Sequence, residues 1–175
     1  MNEFSRRRYR CVSEAASDLW RLSRRRREIR RVMKGGAIDA RLRERLMLAV
    51  TEVNGCRYCA FAHARAALAT GLTAADIDAL AKGEMGGCPP QDVVALLYAR
   101  HWAEADGRPD REARRRVLET YGETRLEHIE LVLQMIRVGN LLGNTWDYML
   151  CRLSRGRLGD AEGRRASVVL DGHLR

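Results

Sequence analysis

Between Asp39 and Gly143 apolar residues recur at steps of three and four, and the runs are cut by glycine or proline. Leu42, Leu46, Ala49, Val50 and Val53 fall on one helical face, and Leu126, Ile129, Leu133 and Ile136 repeat the pattern. Residues three or four apart stack on one side of a helix, whereas a half-buried strand needs strict alternation. No alternating stretch is long enough to build a sheet, so the chain reads as all-α, a single helical bundle domain.

The punctuation sets the helix bounds. Asp39 caps a helix over 40–53, and Asn54-Gly55 interrupts it so that Cys56 opens the first turn of another, which stops at Gly71. Thr73 and Asp76 form the capped start of a short helix that ends near Lys82-Gly83. Pro89-Pro90 open a helix over 91–105, and Pro109-Asp110 start one that ends near Tyr121-Gly122. Thr124 and Glu127 resemble a capping box at the head of a long last helix, where Gly139 and Gly143 let another helix approach closely. Trp20, Trp102, Trp146 and Tyr148 are expected to pack against the bundle.

A chain of 175 residues, 46% of them hydrophobic, suffices for one domain with one core. No apolar stretch approaches the roughly eighteen residues of a spanning helix, and the basic N-terminus leads into no apolar signal region. The expectation is a cytoplasmic protein without integral membrane association. The net charge of +9 is concentrated in an Arg-rich extension at 1–34, where Leu19, Leu22, Ile29, Val32 and Met33 recur at helical spacing. An amphipathic helix with an arginine face solvates well, packs on the body or a neighbouring subunit, or docks an acidic partner. The helical domain then covers 35–154. Arginine, glycine and serine dominate 155–175, which reads as a flexible tail.

Within the domain, Cys56, Cys59 and His63 share one helical face. A thiol in the first helical turn faces unpaired backbone amides and the positive end of the helix dipole, which stabilise a thiolate. Cys-x-x-Cys can close into a disulfide, and four-residue spacing makes Cys59 the better proton donor to His63. A closed zinc site needs about four ligands, so Cys56, Cys59 and His63 would require Cys88 or a subunit neighbour as well. Cys11, Cys88 and Cys151 are isolated, and Cys88, in its Gly/Pro loop, is the one to check for reactivity. His101 and His128 read as surface or hydrogen-bonded histidines.

The string from Glu44 through Asn54-Gly55-Cys56, Cys59 and His63 to Thr70-Gly71-Leu72-Thr73-Ala74-Ala75-Asp76-Ile77 resembles the carboxymuconolactone decarboxylase superfamily, within it the alkylhydroperoxidase D-like branch. Tyr98-Ala99, Asn140 and Asn144 extend the likeness more loosely to about residue 150. The resemblance implies an all-α bundle, a homotrimer or homohexamer, and hydroperoxide reduction or disulfide exchange through a dithiol. It implies no bound cofactor and an external dithiol or thioredoxin-like reductant. Carried onto this sequence, Glu44 orients His63, His63 takes the proton of Cys59, Cys59 attacks the peroxide, and Cys56 resolves the sulfenic acid; the two thiols could exchange roles. The departure is Tyr58, where the best-characterised branch members carry histidine. Tyrosine is a poor base near neutral pH, which puts efficient peroxidase turnover in doubt, while Arg57 adds positive field. Glu52 is a second carboxylate near the motif, better suited to an ion pair. Two alternatives stand beside this reading: a non-catalytic redox sensor with a basic docking segment, and a cofactor-free decarboxylase that needs no cysteine pair.

Overall fold

The structure, a computed structural model, describes residues 4–34 and 36–159. Gly35 and the expected tail beyond Gly159 lie outside the described residues. These contain eight helices and no strand: α1 (Val12–Arg24), α2 (Arg26–Lys34), α3 (Ala40–Asn54), α4 (Arg57–Ala69), α5 (Ala74–Ala81), α6 (Pro90–Glu104), α7 (Arg111–Tyr121) and α8 (Glu123–Leu153).

α3 is the central element. Asp39 starts it by accepting from the amides of Arg41 and Leu42, at 2.9 and 3.1 Å. α3 then packs on α4, α5, α6 and α8, so it buries almost every face. Leu46 and Val50 meet Leu96, Ile129 and Val132 in a core with no exposed surface. Burying a side chain of this size contributes about 1.5–3 kcal/mol, so this core, rather than helix propensity, holds the bundle.

The α3–α4 junction is only two residues long. Gly55 takes the left-handed conformation, φ 69°, and its amide closes the last turn of α3 on Thr51 O at 2.8 Å. Cys56 is extended and is the N-cap of α4. The chain therefore reverses into α4 with Cys56 pinned at the corner. Buried amides tie this corner to α8: Asn54 Nδ2 donates to Asn140 Oδ1 at 3.1 Å, Asn140 Nδ2 to Thr51 Oγ1 at 3.0 Å, and Asn144 Nδ2 to Asn54 O at 2.8 Å.

Three expectations are corrected. The Arg-rich segment is two helices broken at Arg25, not one, and α1 buries none of its residues. The α7–α8 boundary is made by Gly122 alone, at φ 75°, and the first turn of α8 begins at Glu123, which places Thr124 inside the helix and not at its cap. Trp20 and Trp146 are more than half exposed, whereas Trp102 is buried. A periodic pattern does not say whether a neighbouring element covers a given stripe.

Ahead of α1, residues 4–10 run along α8. Tyr9 N donates to Thr145 Oγ1 at 3.1 Å, Asn144 Nδ2 to Arg7 O at 2.8 Å, and Phe4 meets Tyr148 edge-on at 5.6 Å. Arg6 and Tyr9 are buried in the process.

Candidate active site

Cys56 and Cys59 lie one turn apart at the head of α4, their sulfurs 3.3 Å apart and hydrogen-bonded. Cys56 is 1% exposed and Cys59 is half-buried. α8 covers both, and its close approach to Cys56 requires glycine. A Cβ on Gly143 would stand 2.7 Å from Cys56 Sγ, and one on Gly139 would stand 3.7 Å from Cys59 Sγ.

The two thiols differ in acidity. The hydrogen bond from Cys59 lowers the Cys56 pKa most; burial opposes it, and the backbone amides of Cys59 and Tyr58 and the charge of Arg6 add to the lowering, bringing it to about 6. Cys59 moves the other way, because its proton is held toward Cys56, burial penalises its charge and the Cys56 thiolate repels it, against one hydrogen bond from Asn140. One proton between two sulfurs thus settles on Cys59 and leaves the thiolate at the N-cap, where helix amides solvate it.

One turn further along α4, His63 Nδ1 meets Glu44 Oε2 at 2.8 Å. Glu44 reaches it from α3, is 3% exposed, and pairs through Oε1 with Arg43 Nε at 3.1 Å. Burial pushes the Glu44 pKa up, but the His63 and Arg43 interactions outweigh it and hold the carboxyl below its ordinary range. A carboxylate on Nδ1 fixes the tautomer that leaves Nε2 to carry protons in and out. No hydrogen bond joins His63 to either sulfur among the described residues.

Behind Cys56 lies a second cluster. Asp147 on α8 is fully buried and accepts from Arg6 Nη2 at 2.9 Å, Arg57 Nη2 at 2.8 Å and the Tyr58 hydroxyl at 2.6 Å. Arg57 Nη2 also donates to the Tyr58 oxygen at 2.9 Å. Burial and the Asp147 hydrogen bond raise the Tyr58 pKa, so the phenol stays neutral and acts as a donor. Arg6 extends further, donating through Nη1 to Gly55 O at 3.2 Å and Asn144 Oδ1 at 3.3 Å.

Of the residues named from the sequence, Cys56, Arg57, Tyr58 and Cys59 lie at the head of α4, while His63 lies at its middle and meets Glu44 from α3. The sequence reading missed Arg6 and Asp147. Asn140, Asn144 and Asp147 form a polar stripe at helical spacing inside an apolar helix, a signal that pointed to Asp147. Nothing distinguished Arg6 among the neighbouring arginines. Glu52 pairs with Arg100 at 3.5 Å, outside the site. Burial raises the Cys88 pKa, which disfavours a reactive thiolate there. No group of three or more His, Cys, Asp or Glu among the described residues is placed to hold a metal. A cleft of about 1090 Å³ opens between residues 4–10, α1 and α8; Arg6 lines it, but Glu44, Cys56, Cys59 and His63 do not.

Residues 21–105 match the model of the carboxymuconolactone decarboxylase family. No curated protein and no solved structure matches the chain.

Proposed function

We propose that this chain is an alkylhydroperoxidase D-like member of the carboxymuconolactone decarboxylase family, a thiol oxidoreductase that reduces hydroperoxides through Cys56 and Cys59. The observation that carries this reading is the pair of sulfurs 3.3 Å apart, one favoured as thiolate, within a turn of the Glu44–His63 pair. The match over residues 21–105 supports it, since that segment contains all four residues.

Cys59 is the sulfur a peroxide reaches first, because Cys56 is buried against Gly143. The Cys59 proton first moves to the Cys56 thiolate or to His63, and the Cys59 thiolate so formed attacks the distal peroxide oxygen, forming S–O as O–O breaks. The same proton then goes on to the departing alkoxide, giving an alcohol, a sulfenic acid on Cys59 and a Cys56 thiolate. The Cys56 thiolate then attacks the Cys59 sulfur, closing the disulfide and releasing hydroxide, which takes a proton from His63 or solvent to leave as water. Two thiols have been oxidised by two electrons and one peroxide reduced. An external dithiol or thioredoxin-like protein restores the pair by exchange.

The decisive experiment is steady-state reduction of an organic hydroperoxide with a small dithiol donor. Repeated turnover that is lost in Cys59→Ser and reduced in His63→Ala is expected. Turnover that persists in Cys59→Ser overturns the assignment of Cys59 as the attacking sulfur; absence of turnover while the disulfide forms only once under oxidant overturns the peroxidase reading and leaves a redox sensor.

A further inference from the structure

Glu44 divides its two oxygens between two partners, Oε2 to His63 and Oε1 to Arg43. Arg43 is the residue before it on α3, and adjacent residues of a helix do not ordinarily face each other. Here the arginine folds back across the helix: its Nε donates to Glu44 Oε1 at 3.1 Å, while its Nη1 donates to Met33 O at 3.0 Å and Val32 O at 3.4 Å. Those carbonyls belong to the last turn of α2, where the helix supplies no amide to meet them. The guanidinium is therefore fixed from two sides. We propose that Arg43 is a positioning residue of the Glu44–His63 pair: anchored on the end of α2, it occupies Oε1 and matches the Glu44 charge, so that His63 on Oε2 is able to release a proton as well as hold one. This rests on the reading of His63 as a proton carrier and gives α2 a part in it.

The charges around the pair support the assignment. A buried carboxylate that faced an imidazole alone would hold it as the imidazolium, because loss of that proton would leave an anion buried without a partner. Arg43 removes this penalty. Glu44 is 3% exposed, and with the guanidinium on Oε1 its charge is balanced whether or not His63 carries a second proton. A group that moves protons near neutral pH needs both states within reach. The other helices packed on α4 are α5 and α8, and among the described residues neither sends a charged group to bond with Glu44 or His63. Cys59, one turn back on α4, keeps its proton. Lysine at position 43 would supply the charge, but not the planar fork that reaches Glu44 and the α2 carbonyls together.

The test follows the imidazole signals of His63 by proton NMR against pH in the reduced full chain. The protein has 4 histidines, and the His63 signals are those that vanish in His63→Ala. Relative to wild type, Arg43→Gln should move the midpoint of His63 protonation up by roughly one unit, the lower end for a nearby charge. Glu44→Gln should move it down, and Arg43→Lys, which keeps the charge, should shift it less than Arg43→Gln. If Arg43 only braced α2 against α3, its loss would free Glu44 to turn away from His63, and the midpoint in Arg43→Gln would stay in place or fall with that of Glu44→Gln; either result overturns the proposal. A shift in Arg43→Lys as large as that in Arg43→Gln overturns it too. Should Arg43→Gln fail to fold, Arg43→Met is read in its place, and failure of both overturns the proposal, because Arg43 would then hold the helices together and do no more. Peroxide turnover is read separately. Its absence in the wild type with the opposite midpoint shifts intact removes the peroxidase reading and leaves the action of Arg43 on His63 standing.

Discussion

A cysteine ionises at neutral pH when its charge is solvated without water, and Cys56 meets this through α4 amides, a neighbouring thiol and a buried guanidinium. Of these the Cys59 hydrogen bond is the largest, so Cys59→Ala should move the Cys56 titration upward, toward the ordinary 9.0, in the same absorbance measurement. His63 acts on a different step. It is absent from the causes that set the Cys56 pKa, so His63→Ala should leave that titration in place while slowing peroxide turnover by roughly 100-fold, the lower range for losing a positioned acid–base group. A variant that loses turnover and thiolate together would mean that His63 supports the shape of the site rather than moving protons.

At the scale of helices, the site depends on how closely α8 approaches the α3–α4 corner. Gly143 and Gly139 face the two sulfurs one turn apart, but with different clearances, 2.7 and 3.7 Å for an added Cβ. Both atoms of the tighter contact are held close to backbone, since Cys56 is pinned at the N-cap and residue 143 lies within α8. Gly143→Ala should therefore displace Cys56 and cut dithiol turnover, while Gly139→Ala, in ordinary van der Waals contact, should be tolerated; steady-state kinetics and the rate of disulfide closure check both. The glycines, the α3–α4 break and the capped start of α5 at Thr73 were legible in the sequence, because turn chemistry is written in local residue types. The exposure of Trp20 and Trp146 was not, because it depends on which elements lie alongside. Cys59 and His63 were legible as one face of a helix, whereas Cys56, expected in the first helical turn, is the extended N-cap just before it. The missing hydrogen bond between His63 and Cys59 was not, since four-residue spacing fixes neighbourhood and leaves rotamers to the partners, here Glu44 and Cys56.

For the whole molecule, the site's acidity is also a property of the fold. Cys56 has a folded pKa of about 6 against an ordinary 9.0. Between those values the folded chain has released a proton that the unfolded chain still binds, so this group makes stability rise with pH, at up to about 1.4 kcal/mol per unit. Its contribution is full above about pH 9 and is lost as pH falls through about 6. Glu44 follows the same sign in a lower window: its depressed pKa contributes above its ordinary 4.5 and is lost in acid. Thermal melts of the reduced protein should therefore climb between about pH 6 and pH 8.5, and the climb should be shallower in Cys56→Ser. Oxidation to the disulfide should flatten it in the same way, because the ionising thiol is then consumed. A Cys56→Ser protein whose melting temperature tracks pH as steeply as the reduced wild type would show that no Cys56 thiolate is stabilised by folding, and the pH dependence would then belong to other groups.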